Sequence, residues 1–212
     1  MTKALLFDFD GTLANTAPGI LSTMKETFRI MGLPIPDDDS IKQTIGLPLV
    51  KCVSTLAEIS DEEAEKGAEI YRELFPSCEL TQITIFPGVS QTLHELSEMG
   101  LRMAICTSRG KNSLERILTR HGLLQMFETA VTASDNLPGK PAPDMVLTLL
   151  DRMGLKADEA IVVGDTIYDI RMGQGAGCRT IAVTYGNHSE QQLKTVDPDF
   201  IVNDFTAIPG LI

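Results

Sequence analysis

Apolar positions change their spacing twice along this chain, and the changes divide it. Residues Ala4-Leu5-Leu6-Phe7 are apolar without alternation, which predicts a short strand covered on both faces. Beyond it the period becomes helical: Ile20, Leu21, Met24, Phe28 and Met31 recur at helical spacing until Gly32, and Pro18 suits a first helical turn. Asp37-Asp38-Asp39-Ser40 is a polar helix-start signal, and Ile45-Gly46-Leu47-Pro48-Leu49-Val50 is a turn feeding a helix to about Glu58. Ser60-Asp61-Glu62-Glu63 is a capping box that opens another helix through Phe75, bounded by Pro76. Residues 15–82 therefore read as a helical insertion, closed by Pro87-Gly88 beyond it.

From Pro87 onward apolar strands and helical patterns alternate, which predicts right-handed crossovers and a parallel sheet. Helices are expected at 90–99, 112–121, 144–153 and 167–176, with strands at 101–106, 129–132, 160–163 and 180–183 and an edge strand at 199–202. The opening strand belongs with this set. The expected organisation is a discontinuous α/β domain of residues 1–14 and 83–212, interrupted by a helical domain of residues 15–82.

Composition narrows the function classes. A formal net charge of −11 argues against nucleic acid, which needs clustered Lys and Arg. No run of about 18 apolar residues offers a membrane span, and the amino terminus lacks a signal-peptide pattern, so a cytoplasmic enzyme is expected. Cys52, Cys78, Cys106 and Cys178 show no paired ligand spacing and read as reduced, mostly buried thiols. His94, His121 and His188 read as structural or surface residues, and Met99, Met103, Met126 and Met145 as core fill.

The chemistry gathers where strands end. Asp8 and Asp10 share a face of the strand, roughly 6–7 Å apart. Two buried carboxylates about 5 Å apart repel by roughly 3 kcal/mol at an effective dielectric of ~20, so the pair calls for a proton or a cation. Taken alone, Asp10-Gly11 is equally a turn signal. However, Thr107 and Ser108 also follow a predicted strand, as does Asp165, and Lys140 lies in the loop after another. Open parallel sheets bind ligands beyond the carboxyl ends of their strands.

These residue types fit phosphoryl transfer from a small phosphorylated metabolite. Asp8 is the candidate nucleophile, Asp10 the general acid and base, and Lys140 a positive charge for both the carboxylate and the phosphate. Thr107, Ser108 and Lys140 are the candidate phosphate-binding residues. Mg²⁺ would take Asp8, a main-chain oxygen of Asp10, and Asp165. Arg109 could contact the far end of a substrate or simply be solvated.

Asp8-Phe9-Asp10-Gly11-Thr12, Thr107-Ser108, Lys140-Pro141 and Gly164-Asp165-Thr166-Ile167-Tyr168-Asp169 resemble the four ordered motifs of the haloacid dehalogenase superfamily of phosphohydrolases. The resemblance covers nearly the whole chain. It implies a Rossmann-like core, a mobile four-helix cap and Mg²⁺-dependent transfer through Asp8. Asp169 matches the second acid of the fourth motif and is expected to orient metal waters or Lys140. Gly46-Leu47-Pro48 is similar to the phosphoglycolate phosphatase branch, whereas Asn15-Thr16 and Ser108-Arg109 depart from its usual pairs. A phosphosugar mutase shares the chemistry. A non-enzymatic phospho-Asp switch would need a lasting phosphoryl group, and Asp10 speaks against it.

Overall fold

The computed structural model describes the backbone of residues 1–212 and the side chains of all but residues 78–81. Its centre is a parallel six-stranded sheet. Strand β1 (Ala4–Phe7) leads through β2 (Ala14–Asn15) into four helices: α1 (Ala17–Met31), α2 (Asp38–Thr44), α3 (Leu49–Ala57) and α4 (Asp61–Gln82). The chain returns through β3 (Thr84–Ile85) and then alternates α5 (Val89–Glu98), β4 (Arg102–Cys106), α6 (Lys111–Arg120), β5 (Thr129–Val131) and α7 (Asp144–Met153). It closes with β6 (Ala160–Gly164), α8 (Ile167–Gly175), β7 (Arg179–Val183), α9 (Glu190–Lys194) and β8 (Phe200–Val202).

The sheet order is β5-β4-β1-β6-β7-β8, so β1 lies at the centre, with Leu5 opposite Met103 on one side and Ile161 on the other. Its side chains divide by parity. Leu5 and Phe7 pack with Leu93 of α5 and Ile117 of α6, while Ala4 and Leu6 pack with Val146 of α7 and Met172 of α8. Burial on both faces accounts for the unbroken apolar run. Because the residues after Phe7 emerge from the middle of the sheet, Asp8 and Asp10 stand where several strand ends can reach them.

Helices α1 to α4 are held to one another chiefly through α4, which packs on α1 and α3. Both ends of this insertion pass side by side, because β2 pairs antiparallel with β3, Ala14 opposite Ile85 and Asn15 opposite Thr84. Asp37 caps α2 by accepting from the Ser40 amide at 2.8 Å, and Ser60 with Glu63 forms the capping box of α4. One expectation is corrected here. Helix α4 continues past Phe75 and carries Pro76 inside it, ending at Gln82. Pro76 is exposed, so the carbonyl of Arg72 that loses its helical donor can turn to water, and the helix survives.

Met103 and Met145 are buried as expected, but Met99 is exposed at the end of α5. Cys52, Cys106 and Cys178 are buried and unpaired; Cys78 lies outside the described side chains. Among the described residues, no helix is long and apolar enough to cross a membrane.

Candidate active site

The loop after β1 turns sharply. Gly11 adopts φ +96°, and its amide donates to Ala14 O while the amides of Leu13 and Ala14 both donate to Phe9 O. A side chain at Gly11 would collide with Asn187 and Asp165, each 2.2 Å from an added Cβ, so glycine is required on two grounds. The turn leaves Asp8 buried and Asp10 facing a cavity of about 680 Å³ between the sheet and the helical insertion.

Around Asp8 the structure brings four charged groups together. Lys140, with no exposed surface, donates from Nζ to Asp8 Oδ1 and to Asp169 Oδ1, the latter at 2.6 Å. Carboxylate oxygens of Asp8, Asp165 and Asp169 lie within 4.8 Å of one another. Burial pushes the Asp8 carboxyl well above its ordinary range; Lys140 pulls against this, and Asp169, Asp165 and Asp10 add repulsion. Asp165 is pushed up to about 7, first by burial and then by Asp169, with bonds from Asn187 and Thr12 opposing. Burial disfavours the Lys140 ammonium, but Asp169 and Asp8 outweigh it and hold the group charged above its ordinary value.

Asp169 does two jobs. Its Oδ2 accepts from the Thr166 amide at 3.0 Å and hydroxyl at 2.7 Å, closing the capping box of α8, while Oδ1 holds Lys140. Gly164 permits this closeness, since a Cβ there would sit 2.2 Å from that of Asp169. His188, buried, accepts from the Ile167 amide at 3.2 Å and has its pKa lowered by burial. It helps to hold the start of α8, a structural role as expected.

The other strand ends are divided between two tasks. Thr107 is fully buried, and its hydroxyl accepts from the Arg109 amide at 3.1 Å. Ser108 turns instead to the insertion, donating to Gly46 O at 2.7 Å. Arg109 is not solvated: its guanidinium donates to both carboxylate oxygens of Asp10, with Nε 3.1 Å from Oδ2, and lies over the Phe75 ring of α4.

Thr12 and Asn187 escape a reading of the sequence. The Thr12 hydroxyl donates to Asp165 Oδ1 at 2.9 Å, and the Asn187 amide and side-chain nitrogen donate to Asp165 Oδ2 at 2.7 and 2.9 Å. Asn187 also donates to Asp10 O at 3.2 Å. Its signal was present, because Gly186-Asn187 follows β7 just as the other site residues follow their strands.

The model of the haloacid dehalogenase-like hydrolase family matches residues 5–183. The chain belongs to the haloacid dehalogenase-like hydrolases. Relatives of this hydrolase align over almost their whole length. It is 34% identical to the "probable phosphatase IndB" of Dickeya dadantii, over 99% of this chain and 93% of that one. Identity is 26% with a phosphoglycolate phosphatase of Vibrio parahaemolyticus, over 97% and 94%, and 29% with the pyrophosphatase PpaX of Oceanobacillus iheyensis, over 99% and 96%. A haloacid dehalogenase-like family hydrolase of Streptococcus pneumoniae shares the fold with TM-score 0.88 at 25% identity, covering 99% of this chain and 98% of that one. The Rossmann-like α/β core expected from the sequence is the observed one.

Proposed function

We propose that this hydrolase is a Mg²⁺-dependent phosphatase that acts on a small phosphorylated metabolite through an aspartyl-phosphate on Asp8. The observation that carries the reading is the asymmetry of Asp8. Its Oδ1 is held by Lys140, whereas Oδ2 is buried with no hydrogen-bond partner among the described residues. A buried carboxylate oxygen left without a donor is costly unless a ligand completes it.

The residues present suit a hard divalent cation. An all-oxygen set, a carboxyl at Asp165 raised to about 7 by burial and repulsion, and the orphaned Asp8 oxygen all favour an added positive charge. Asp8, Asp165 and the main-chain oxygen of Asp10 would hold Mg²⁺. When bound, the ion supplies positive charge that screens the carboxylates from the incoming phosphate.

The chain's own residues then divide the work. The Asp8 carboxylate attacks phosphorus, the bond to the leaving oxygen breaks, and Asp10 gives that oxygen a proton. In the second half water attacks the same phosphorus, Asp10 takes a proton from it, and the bond to Asp8 breaks to release inorganic phosphate. Lys140, fixed by Asp169, favours the ionised form of Asp8 and orients it, and the Thr107 hydroxyl and nearby amides hold the other phosphate oxygens. Ser108 contributes by tying the insertion to the site through Gly46. Residues 15–82 act as a cap over the core of residues 1–14 and 83–212, with the β2–β3 pair as the hinge. The unpaired thiols of Cys52, Cys106 and Cys178 support a cytoplasmic setting.

The experiment is inorganic phosphate release across 2-phosphoglycolate, sugar phosphates, nucleotides and pyrophosphate, with Mg²⁺ or with chelator. Chelator-sensitive turnover that Asp8→Asn abolishes without unfolding the chain supports the reading; no release from any compound contradicts it.

A further inference from the structure

The pairing of Arg109 with Asp10 is at odds with both roles those residues could play. A carboxylate whose two oxygens both accept from a guanidinium must share or break those bonds to carry a proton to a leaving group. The Arg109 side chain is 7% exposed and that of Asp10 13%, so this is no loose surface pair. Phe9 and Phe75 flank the guanidinium, and Nη1 donates to Ser113 Oγ at 2.7 Å. The site has been built to hold a guanidinium beside the reacting carboxylates.

The same wall carries further attraction for an anion. Helix α6 starts at Lys111 beside Arg109, and Gly110 through Ser113 line the cavity. Its first turn holds no acid to offset the positive dipole end, and the Lys111 amide donates to Ser134 Oγ at 3.1 Å. Lys111 is exposed and pairs with Glu115 at 3.8 Å, a weak partner. Among the described lining residues Asp8 and Asp10 are the only acids, although the chain as a whole carries a net charge of −11. The helical insertion adds Ile20, Met24, Leu47, Tyr71 and Phe75 to the lining, beside Arg72. About 680 Å³ lies well within the range of pockets that take drug-sized ligands.

Resting on the phosphatase reading, we propose that Arg109 and the start of α6 form a second anion subsite. The preferred substrate is then a phosphate monoester whose leaving group carries an apolar body and a second anionic group, carboxylate or phosphate. On binding, Arg109 exchanges the Asp10 carboxylate for that second anion, which frees Asp10 to serve the leaving oxygen. Arg109 is thus the residue that selects the substrate. An ester without the second charge leaves it on Asp10.

A matched pair of esters tests this: phenyl phosphate against 3- and 4-carboxyphenyl phosphate, with Mg²⁺. The wild type is expected to favour a carboxylated ester in kcat/KM by roughly 10- to 100-fold, the range for a hydrogen bond to a charged group. Arg109→Gln is expected to reduce that preference to about 3-fold or less. The ratio is the readout because an effect exerted only through Asp10 would change all the esters alike. Lys111→Gln, a substitution at an exposed position, is expected to lower the preference several-fold and carries the test should Arg109→Gln fail to fold. Equal kcat/KM for all the esters in the wild type would overturn the subsite and leave the phosphatase reading standing. So would a preference that survives both substitutions. Hydrolysis of none of them, together with no turnover in the metabolite panel, would remove the phosphatase reading itself.

Discussion

The Lys140 ammonium lies 2.6 Å from Asp169 Oδ1, and neither side chain has any exposed surface. Because Asp169 also caps α8 through Thr166, one carboxylate couples the position of Lys140 to the start of a helix. Removing one member of a buried ion pair costs about 3–5 kcal/mol, whereas losing a helix cap costs about 1 kcal/mol. Asp169→Ala should therefore destabilise the chain clearly more than Thr166→Ala. Chemical denaturation of the two variants checks the order, and equal losses would show that the Lys140 contact adds nothing beyond the cap.

Without Mg²⁺ the raised carboxyls of Asp8 and Asp165 make stability fall as pH rises. Both carboxyls have an ordinary value of 3.8 in the unfolded chain, and burial and mutual repulsion raise them in the folded chain, Asp165 to about 7. Between about pH 4 and pH 7 the unfolded chain therefore loses protons that the folded chain retains. The contribution is fully present below the unfolded value and lost by the time pH has passed the folded one. Thermal melts in chelator should show a lower Tm at pH 8 than at pH 5.5. Added Mg²⁺ should raise Tm more at pH 8, where both carboxyls are free to bind it. A Mg²⁺ shift equal at both values would contradict this.

Gly186→Ala should disable the site from outside it. An added Cβ there would lie 2.3 Å from Asp165 Oδ2 and 2.5 Å from its carboxyl carbon, so Asp165 must move. The expected result is loss of phosphate release by at least about tenfold, with a stability cost of about 1–3 kcal/mol from the overpacking. Paired activity and melting measurements decide it. Unchanged activity would mean that the position of Asp165 is unimportant.

Much of the site could be read from the sequence because its residues follow strands whose apolar runs are unmistakable. Asp8, Thr107 and Asp165 each stand just beyond a strand whose interior is buried. Lys140 was likewise visible in the right loop, and Asp169, in the first turn of α8, through the motif it matches. Their mutual contact, 29 residues apart in sequence, was foreseen only as one of two options. The pairing of Arg109 with Asp10 could not be read at all, because it joins residues 99 positions apart through side-chain rotamers. Asn187 went unrecognised because an Asn after a Gly is an ordinary turn residue until the loop geometry aims it at Asp165. Pro76 misplaced the end of α4 because proline breaks a helix only when the carbonyl it orphans cannot reach water.

Buried thiols give an independent check on the packing. Burial pushes Cys52 and Cys106 up to about 12, and Cys178 to about 11. The thiolate is the reactive form, so at pH 8 these three should react with a disulfide reagent only as fast as the chain opens. In a Cys78→Ser background, labelling should be slow in buffer and rapid in denaturant. Fast labelling under native conditions would contradict the described core.

The most direct measurement of the central claim is a rapid-quench experiment on Asp10→Asn with p-nitrophenyl phosphate and Mg²⁺. This ester needs no proton on its leaving oxygen, so the first half-reaction should proceed while the second, which needs Asp10 to activate water, stalls. The predicted result is a stoichiometric burst of p-nitrophenolate, with a hydroxylamine-labile phosphoryl group on the peptide that contains Asp8. Steady turnover without a burst and without any phosphorylated peptide would contradict transfer through Asp8.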